Sequence, residues 1–167
     1  MNTHPVPIET SEGTFLAWFS DTGLTRLDFP ARAGAGPKQP RQPSAPPTAA
    51  ARRWTVQTAA AVRAILAGRP ARALPPLDLT AGTPFQQSTW QALARIPLGK
   101  TSTYGKVAAA IRRPKAVRAV GGACGANPVP LLVPCHRVLP HNGGLGGFSG
   151  GLDWKRLLLE RERVLPR

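Results

Sequence analysis

Cys135 is followed directly by His136 and Arg137. Residues of these types can carry out nucleophilic chemistry. The thiolate rather than the thiol attacks, and a neighbouring base or positive charge makes it available. His136 is the candidate base. Adjacent side chains on an extended chain point to opposite sides, so a bridging water is the expected link between the two. A buried cysteine also serves as a small hydrophobe, and these residues alone leave that reading open. The only other cysteine is Cys124. Its spacing from Cys135 fits no common zinc pattern and a fourth ligand is missing, so no metal is expected. Two cysteines exclude a disulfide scaffold. No cofactor is expected either.

The elements that must hold Cys135 can be read from periodicity and punctuation. Thr14 to Phe19 and Leu24 to Phe29 read as strands joined by the Asp21-Thr22-Gly23 turn. Pro30 to Pro47 is rich in proline and reads as a linker or loop. Ala49 to Ala67 is a helix stopped by Gly68 and Pro70. Leu74 to Thr80 is a connector. Thr83-Pro84 with Gln86 has the cap, first-position proline and capping-box partner of a helix start, and that helix runs to about Arg95. After the Pro97-Leu98-Gly99 break, a second helix starts near Ser102 or Thr103, with Tyr104, Val107, Ala108 and Ile111 on one face, and ends at Arg113-Pro114. A third runs from about Lys115 to Ala126. Two short helices and a tight turn make a helix-turn-helix. Val129 to Val133 reads as a short buried strand, Gly143 to Gly151 as a glycine-rich loop, and Leu152 to Arg163 as an amphipathic helix. The expected fold is an α/β N-terminal domain over residues 1–80, with the Pro-rich loop at 30–47, followed by a mostly α C-terminal domain over 81–167.

Charge narrows the class of partner. The chain has 22 Lys+Arg against 8 Asp+Glu, a formal net charge of +14. No acidic residue stands between Asp78 and Asp153, whereas Arg95, Lys100, Lys106, Arg112, Arg113, Lys115, Arg118 and Arg137 do. A surface built from this stretch cannot neutralise itself, which suits phosphate contacts, although a solvated basic face has the same composition. No apolar run is long enough for a membrane span, and Met1 to Thr10 show no secretory signal. A cytoplasmic protein with reduced thiols and no membrane contact is expected, associated with the nucleoid if the source is prokaryotic.

Pro134-Cys135-His136-Arg137-Val138 resembles the active-site signature of the O6-alkylguanine-DNA alkyltransferases. The resemblance extends, in order and spacing, through Gly82-Thr83-Pro84-Phe85-Gln86-Gln87, Thr103-Tyr104-Gly105, Arg118-Ala119-Val120-Gly121, Asn127-Pro128-Val129-Pro130 and the final helix to Glu162. The first 80 residues match in layout only. The resemblance implies irreversible, single-turnover transfer of the alkyl group from O6-alkylguanine in duplex DNA to Cys135. The second helix of the helix-turn-helix would lie in the minor groove. Arg118 would replace the extruded nucleotide in the stack, and Tyr104 would help to rotate it out, because an atom inside the stack cannot be reached. Tyr104 would also donate to guanine N3 and the backbone N–H of Ser149 to O6. The carbonyls of Cys135 and Val138 would accept from the exocyclic amine. His136 would take the thiol proton through water, Glu162 would orient His136, and Asn127 would brace the turn before the active site.

The sequence departs from the pattern at Phe148, where many relatives carry tyrosine. No N-terminal cysteine cluster marks a metal-bound phosphotriester-repair domain. Double-stranded DNA containing O6-alkylguanine, with O4-alkylthymine as a further substrate to test, is the expected partner of a monomer with no obligate protein partner. Three rivals remain. In a non-catalytic lesion binder of the alkyltransferase-like kind the cysteine is replaced, so Cys135 argues against it. A helix-turn-helix regulator would explain the charge but not Cys135, His136 and Glu162 together. A cysteine hydrolase needs no basic half free of acids.

Overall fold

Apolar residues alternate along Gly13–Phe19, so one face of that strand carries Phe15, Ala17 and Phe19, all buried. In the computed structural model, which describes residues 5–30 and 48–165, this strand (β2) is the centre of an antiparallel sheet. It lies between β1 (Val6–Thr10) and β3 (Leu24–Asp28). β1 had no counterpart in the sequence reading; its Val-Pro-Ile-Glu-Thr run is short and buries only Ile8. The Pro-rich loop, apart from Pro30, lies outside the described residues.

Helix α1 (Ala49–Leu66), capped by Thr48, covers the buried face of the sheet with Trp54, Ala61, Val62 and Ile65. Fully burying a side chain of this size contributes about 1.5–3 kcal/mol, so this contact needs no special polar device. The connector after α1 touches the sheet through an isolated bridge between Leu24 and Leu77. Asp78 closes that corner by accepting hydrogen bonds from Ser20, Thr22 and Thr80 at 2.6–2.9 Å.

Helix α2 (Pro84–Ala94) begins with the expected capping box. Thr83 accepts from the Gln86 N–H, and the Gln86 side chain accepts from the Thr83 N–H. Helices α3 (Tyr104–Ala110) and α4 (Val117–Gly125) form the helix-turn-helix, α3 being capped by Thr103. The Trp90 indole N–H donates to the Ala123 carbonyl at 2.8 Å and locks α2 under α4. Helix α4 is shorter than the sequence reading, because residues after Pro114 turn before they wind. Two two-residue strands, β4 (Ser102–Thr103) and β5 (Val138–Leu139), pair in parallel. Helix α5 (Leu152–Arg161) closes the chain.

The expected buried strand over Val129 to Val133 does not form. Pro128, Pro130 and Pro134 lack the N–H that a ladder needs, and Leu131 takes a left-handed backbone at φ 71°. The segment is a buried irregular turn with one bridge, Pro130 to Val133. It is held to the sheet by the Leu27 N–H, which donates to the Pro128 carbonyl at 2.9 Å.

Candidate active site

Cys135 opens a 3-10 turn, Cys135–Arg137, immediately after that irregular segment. Three prolines stiffen its approach, and Asn127, just beyond the end of α4, sets its position. The Asn127 amide donates to the Val133 carbonyl at 2.8 Å and to Cys135 Sγ at 3.1 Å, while its oxygen accepts from the Val129 N–H at 3.1 Å. Asn127 therefore braces the turn and also touches the sulfur. Burial pushes the Cys135 thiol above its ordinary range, opposed by the Asn127 hydrogen bond and the charge of Lys155. The resting group is a thiol, so attack needs a base.

His136 and Glu162, far apart in sequence, meet here. His136 Nε2 lies 2.8 Å from Glu162 Oε1, and both side chains are wholly buried. Burial lowers the His136 pKa, with the Glu162 contact pulling the other way, so the ring is neutral near pH 7. A carboxylate only accepts, so Nε2 carries the proton and Nδ1 is the basic nitrogen. Nδ1 is buried and has no protein partner among the described residues. Burial alone would raise Glu162, but the hydrogen bonds from His136 and Arg137 hold it at about 2.

Arg137 is not on the phosphate-facing surface that the charge pattern suggested. It is 7% exposed. Its Nε and Nη2 donate to Glu162 at 3.0–3.2 Å, and its Nη1 donates to the Ile96 carbonyl at 2.6 Å. The Gly99 N–H also donates to Glu162, at 3.3 Å. A buried carboxylate needs such compensation, and Arg137 supplies it.

Lys155 joins the cluster although no sequence motif singles it out. It is fully buried, and its Nζ donates to the Val138 carbonyl at 2.8 Å and the Gly147 carbonyl at 3.3 Å. It therefore ties the strand after the active-site turn to the glycine-rich loop. The signal was available: Lys155, Leu158, Leu159 and Glu162 recur at helical spacing, placing one lysine on the apolar face.

A pocket of about 450 Å³ opens over the sulfur, walled by Tyr104, Gly121, Cys124, Gly147 and Ser149. Pairing of β4 with β5 brings Tyr104, the first residue of α3, beside the strand that begins at Val138. The Tyr104 hydroxyl and the Ser149 N–H make no hydrogen bond to another described residue. The Tyr104 hydroxyl also lies 3.2 Å from where a Cβ on Gly146 would stand, so the loop rests against it only because that residue, at φ 67°, is glycine. Cys124 shares the pocket, but burial and then the neighbouring Cys135 push its pKa up to about 12, and Asn127 does not touch it. Phe148 packs edge-on between His136 and Phe29, linking the site to the sheet. Arg118 is exposed on α4. Among the described residues no group of three or more His, Cys, Asp or Glu could hold a metal, and no helix is long and apolar enough to cross a membrane.

These parts define a protein with a buried cysteine bonded by an asparagine, a histidine–carboxylate pair on the same turn and a helix-turn-helix. The chain belongs to the O6-methylguanine-DNA methyltransferase family: residues 84–164 match the domain described as 6-O-methylguanine DNA methyltransferase, DNA binding domain. It is similar to the methylated-DNA–protein-cysteine methyltransferase of Haemophilus influenzae, 55% identical over 50% of this chain and 46% of that protein. The chain thus spans about half the length of the curated relatives it matches. Structural likeness extends further. Mycobacterium tuberculosis OGT in complex with DNA superposes with TM-score 0.75 at 36% identity, over 95% of this chain and 91% of that one. An O6-methylguanine DNA methyltransferase from Methanococcus jannaschii superposes with TM-score 0.67 at 28% identity, over 97% and 95%.

Proposed function

We propose that this protein repairs alkylated DNA by direct reversal, moving the alkyl group from guanine O6 to Cys135 once per molecule. The observation that carries this reading is the arrangement around one sulfur. Cys135 lies at the floor of a pocket, bonded by Asn127, with the His136–Glu162 pair beside it and the recognition helix α4 forming the opposite wall.

In this reading each residue has a step. Arg118 enters the duplex from the minor groove as the damaged nucleotide turns out of the stack, and Tyr104 helps to turn it. The free Tyr104 hydroxyl donates to guanine N3 and the free Ser149 N–H to O6. The carbonyls of Cys135 and Val138 read the exocyclic amine, the latter alongside the Lys155 bond. His136 Nδ1 takes the thiol proton through a water. The S–C bond forms as the C–O6 bond breaks, and the electron pair leaves on O6, stabilised by these donors. The imidazolium so formed sits against Glu162, whose charge Arg137 holds in place. The product is a thioether, which water does not readily cleave, and among the described residues none beside Cys135 is suited to remove it. The spent protein stays spent.

In this reading residues 1–80 form a supporting α/β domain and residues 81–167 the domain that binds DNA and reacts. The protein works as a monomer on duplex DNA in the cytoplasm or nucleoid. O6-Methylguanine is the first substrate to test. Intact-protein mass after mixing with duplex DNA containing it should rise by one methyl group per chain, on the peptide carrying Cys135. Repeated turnover with no mass gain would point to a hydrolase. Binding with neither gain nor turnover would point to a lesion-binding protein or a regulator.

A further inference from the structure

A second groove, of about 510 Å³, lies between α2 and α3 on a side of the helix-turn-helix that contains no residue of α4. Four cations line it: Arg95 at the end of α2, Lys100 in the following turn, Lys106 on α3, and Arg112 just beyond α3. All four are exposed, no carboxylate lines the groove, and none of the four side chains has a partner among the described residues. The Thr101 and Ser102 hydroxyls, also on the lining, are free as well. A single cation after a helix C-terminus is explained by the helix dipole, which accounts for Arg95. That explanation does not reach Lys100 or Lys106.

We propose that this groove is a second phosphodiester-backbone track, engaging the flank of the duplex that α4 holds. The proposal rests on the reading of the chain as a duplex-binding protein. Continuity of charge supports it. Arg118 on α4, then Lys115 and Arg113 in the connection at 111–116, lead along the chain without an acidic break to Arg112, which lines the groove. Arg112 takes a left-handed backbone at φ 59°, a conformation rare outside glycine, where the chain leaves α3. Duplex DNA presents a phosphate about every 1.7 Å along its axis, so a row of unpaired cations that continues past the reading helix meets a continuing row of anions. An acidic peptide would also satisfy the cations, but continuity with Arg118 favours the nucleic acid. The track is separate from the reacting pocket: no side chain of the His136–Glu162–Arg137 cluster lines it.

The test is the salt dependence of binding to undamaged duplex DNA, for the full chain and for a double variant, Arg95→Ala with Lys100→Ala. Each phosphate contact adds about 0.9 to the slope of log affinity against log salt. The variant should lose about 1.8 of that slope. The advantage of the wild type should therefore shrink about tenfold between about 50 and about 200 mM salt. The difference should appear on a duplex of about two helical turns, roughly 20 base pairs, and vanish on one of about half a turn, roughly 5. Lys100→Glu alone should act in the same direction. Matching melting temperatures and equal rates with free O6-benzylguanine would show that fold and pocket are intact. Equal slopes for wild type and double variant would overturn the track and leave an acidic peptide as the occupant to examine. A loss independent of duplex length would overturn its placement on the same duplex. A wild-type affinity flat in salt would instead overturn the duplex-binding reading itself.

Discussion

Asp78 and Glu162 are two carboxylates held below their ordinary pKa by different means. Asp78 sits at the corner of the sheet and accepts from the hydroxyls of Ser20, Thr22 and Thr80. Glu162 is buried behind the active site and accepts from His136, Arg137 and the Gly99 N–H. The hydroxyl cluster is neutral apart from Asp78, lies near solvent and ties two loops. The buried cluster pairs charge with charge on the turn that Cys135 opens. A lowered carboxylate pKa therefore does not mark a site by itself. What separates the two is the partner: a histidine whose other nitrogen has no partner among the described residues, on the same turn as a cysteine.

The largest effects should fall on the reacting side of that comparison. Cys135→Ala is expected to abolish the methyl mass gain while duplex binding largely persists, since phosphate contacts supply most affinity. Cys124→Ala should keep the gain. If the two results were exchanged, the thiol pushed to about 12 would be the nucleophile and the Asn127 bond would be incidental.

Glu162→Gln is expected to slow transfer by on the order of 10²–10⁴, the usual contribution of positioned acid–base catalysis, and to lower the melting temperature. It leaves Arg137 buried without its anion, and breaking a buried pair typically costs about 3–5 kcal/mol. Rates should be taken well below the melting temperature so that the two effects separate. Unchanged transfer in a folded variant would remove Glu162 from the chemistry and make the two carboxylates alike.

Arg118→Ala is expected to slow repair in duplex DNA by on the order of 10–100-fold, matching the few kcal/mol of unstacking that the side chain offsets. Reaction with free O6-benzylguanine should be nearly unaffected. Parallel single-turnover rates on the two substrates decide it, and equal losses would mean that Arg118 shapes the pocket.

Acid should unfold the protein through the same buried cluster. His136 is held below its ordinary pKa, so as pH falls through about 6.5 the unfolded chain binds that proton first and folding stability drops. The contribution of Glu162 is complete above its ordinary value of 4.5 and is lost as pH falls toward about 2. Thermal melts should show a decline in both windows, and Glu162→Gln should flatten the lower one, below the ordinary value of 4.5, where Glu162 titrates. A decline of equal steepness in that variant would place the acid sensitivity elsewhere. The smallest effect is expected from Asp78→Asn. Stability should fall by about 1 kcal/mol, the scale of one net hydrogen bond, with transfer unchanged.

The local elements were legible because local rules make them. The capping box of α2, the alternation along β2 and the stop of α1 depend on residues within a turn or two of one another. So does the placing of Cys135 beside His136, since the two are adjacent. β1 was missed because a short strand at a sheet edge buries little. Val129 to Val133 reads as a strand because an apolar run looks alike whether it pairs or only packs, and the prolines around it decide which. The charge pattern puts Arg137 on the surface because nothing near it in sequence announces Glu162, which comes from the far end of the chain and pairs with it in the interior.

By itself the sequence determined the Cys135-His136-Arg137 run, the helix-turn-helix and the excess of positive charge, all properties of contiguous residues. Only the tertiary structure decided the state of the thiol, the tautomer of His136, the burial of Arg137 and Lys155, and which cations remain free. Each of these depends on desolvation and on partners many residues away. His136 meets Glu162 because α5 packs against the active-site turn. Tyr104 reaches the pocket because β4 pairs with β5. Burial then makes each such contact consequential, since a polar group removed from water must find a partner in the protein or remain available to react.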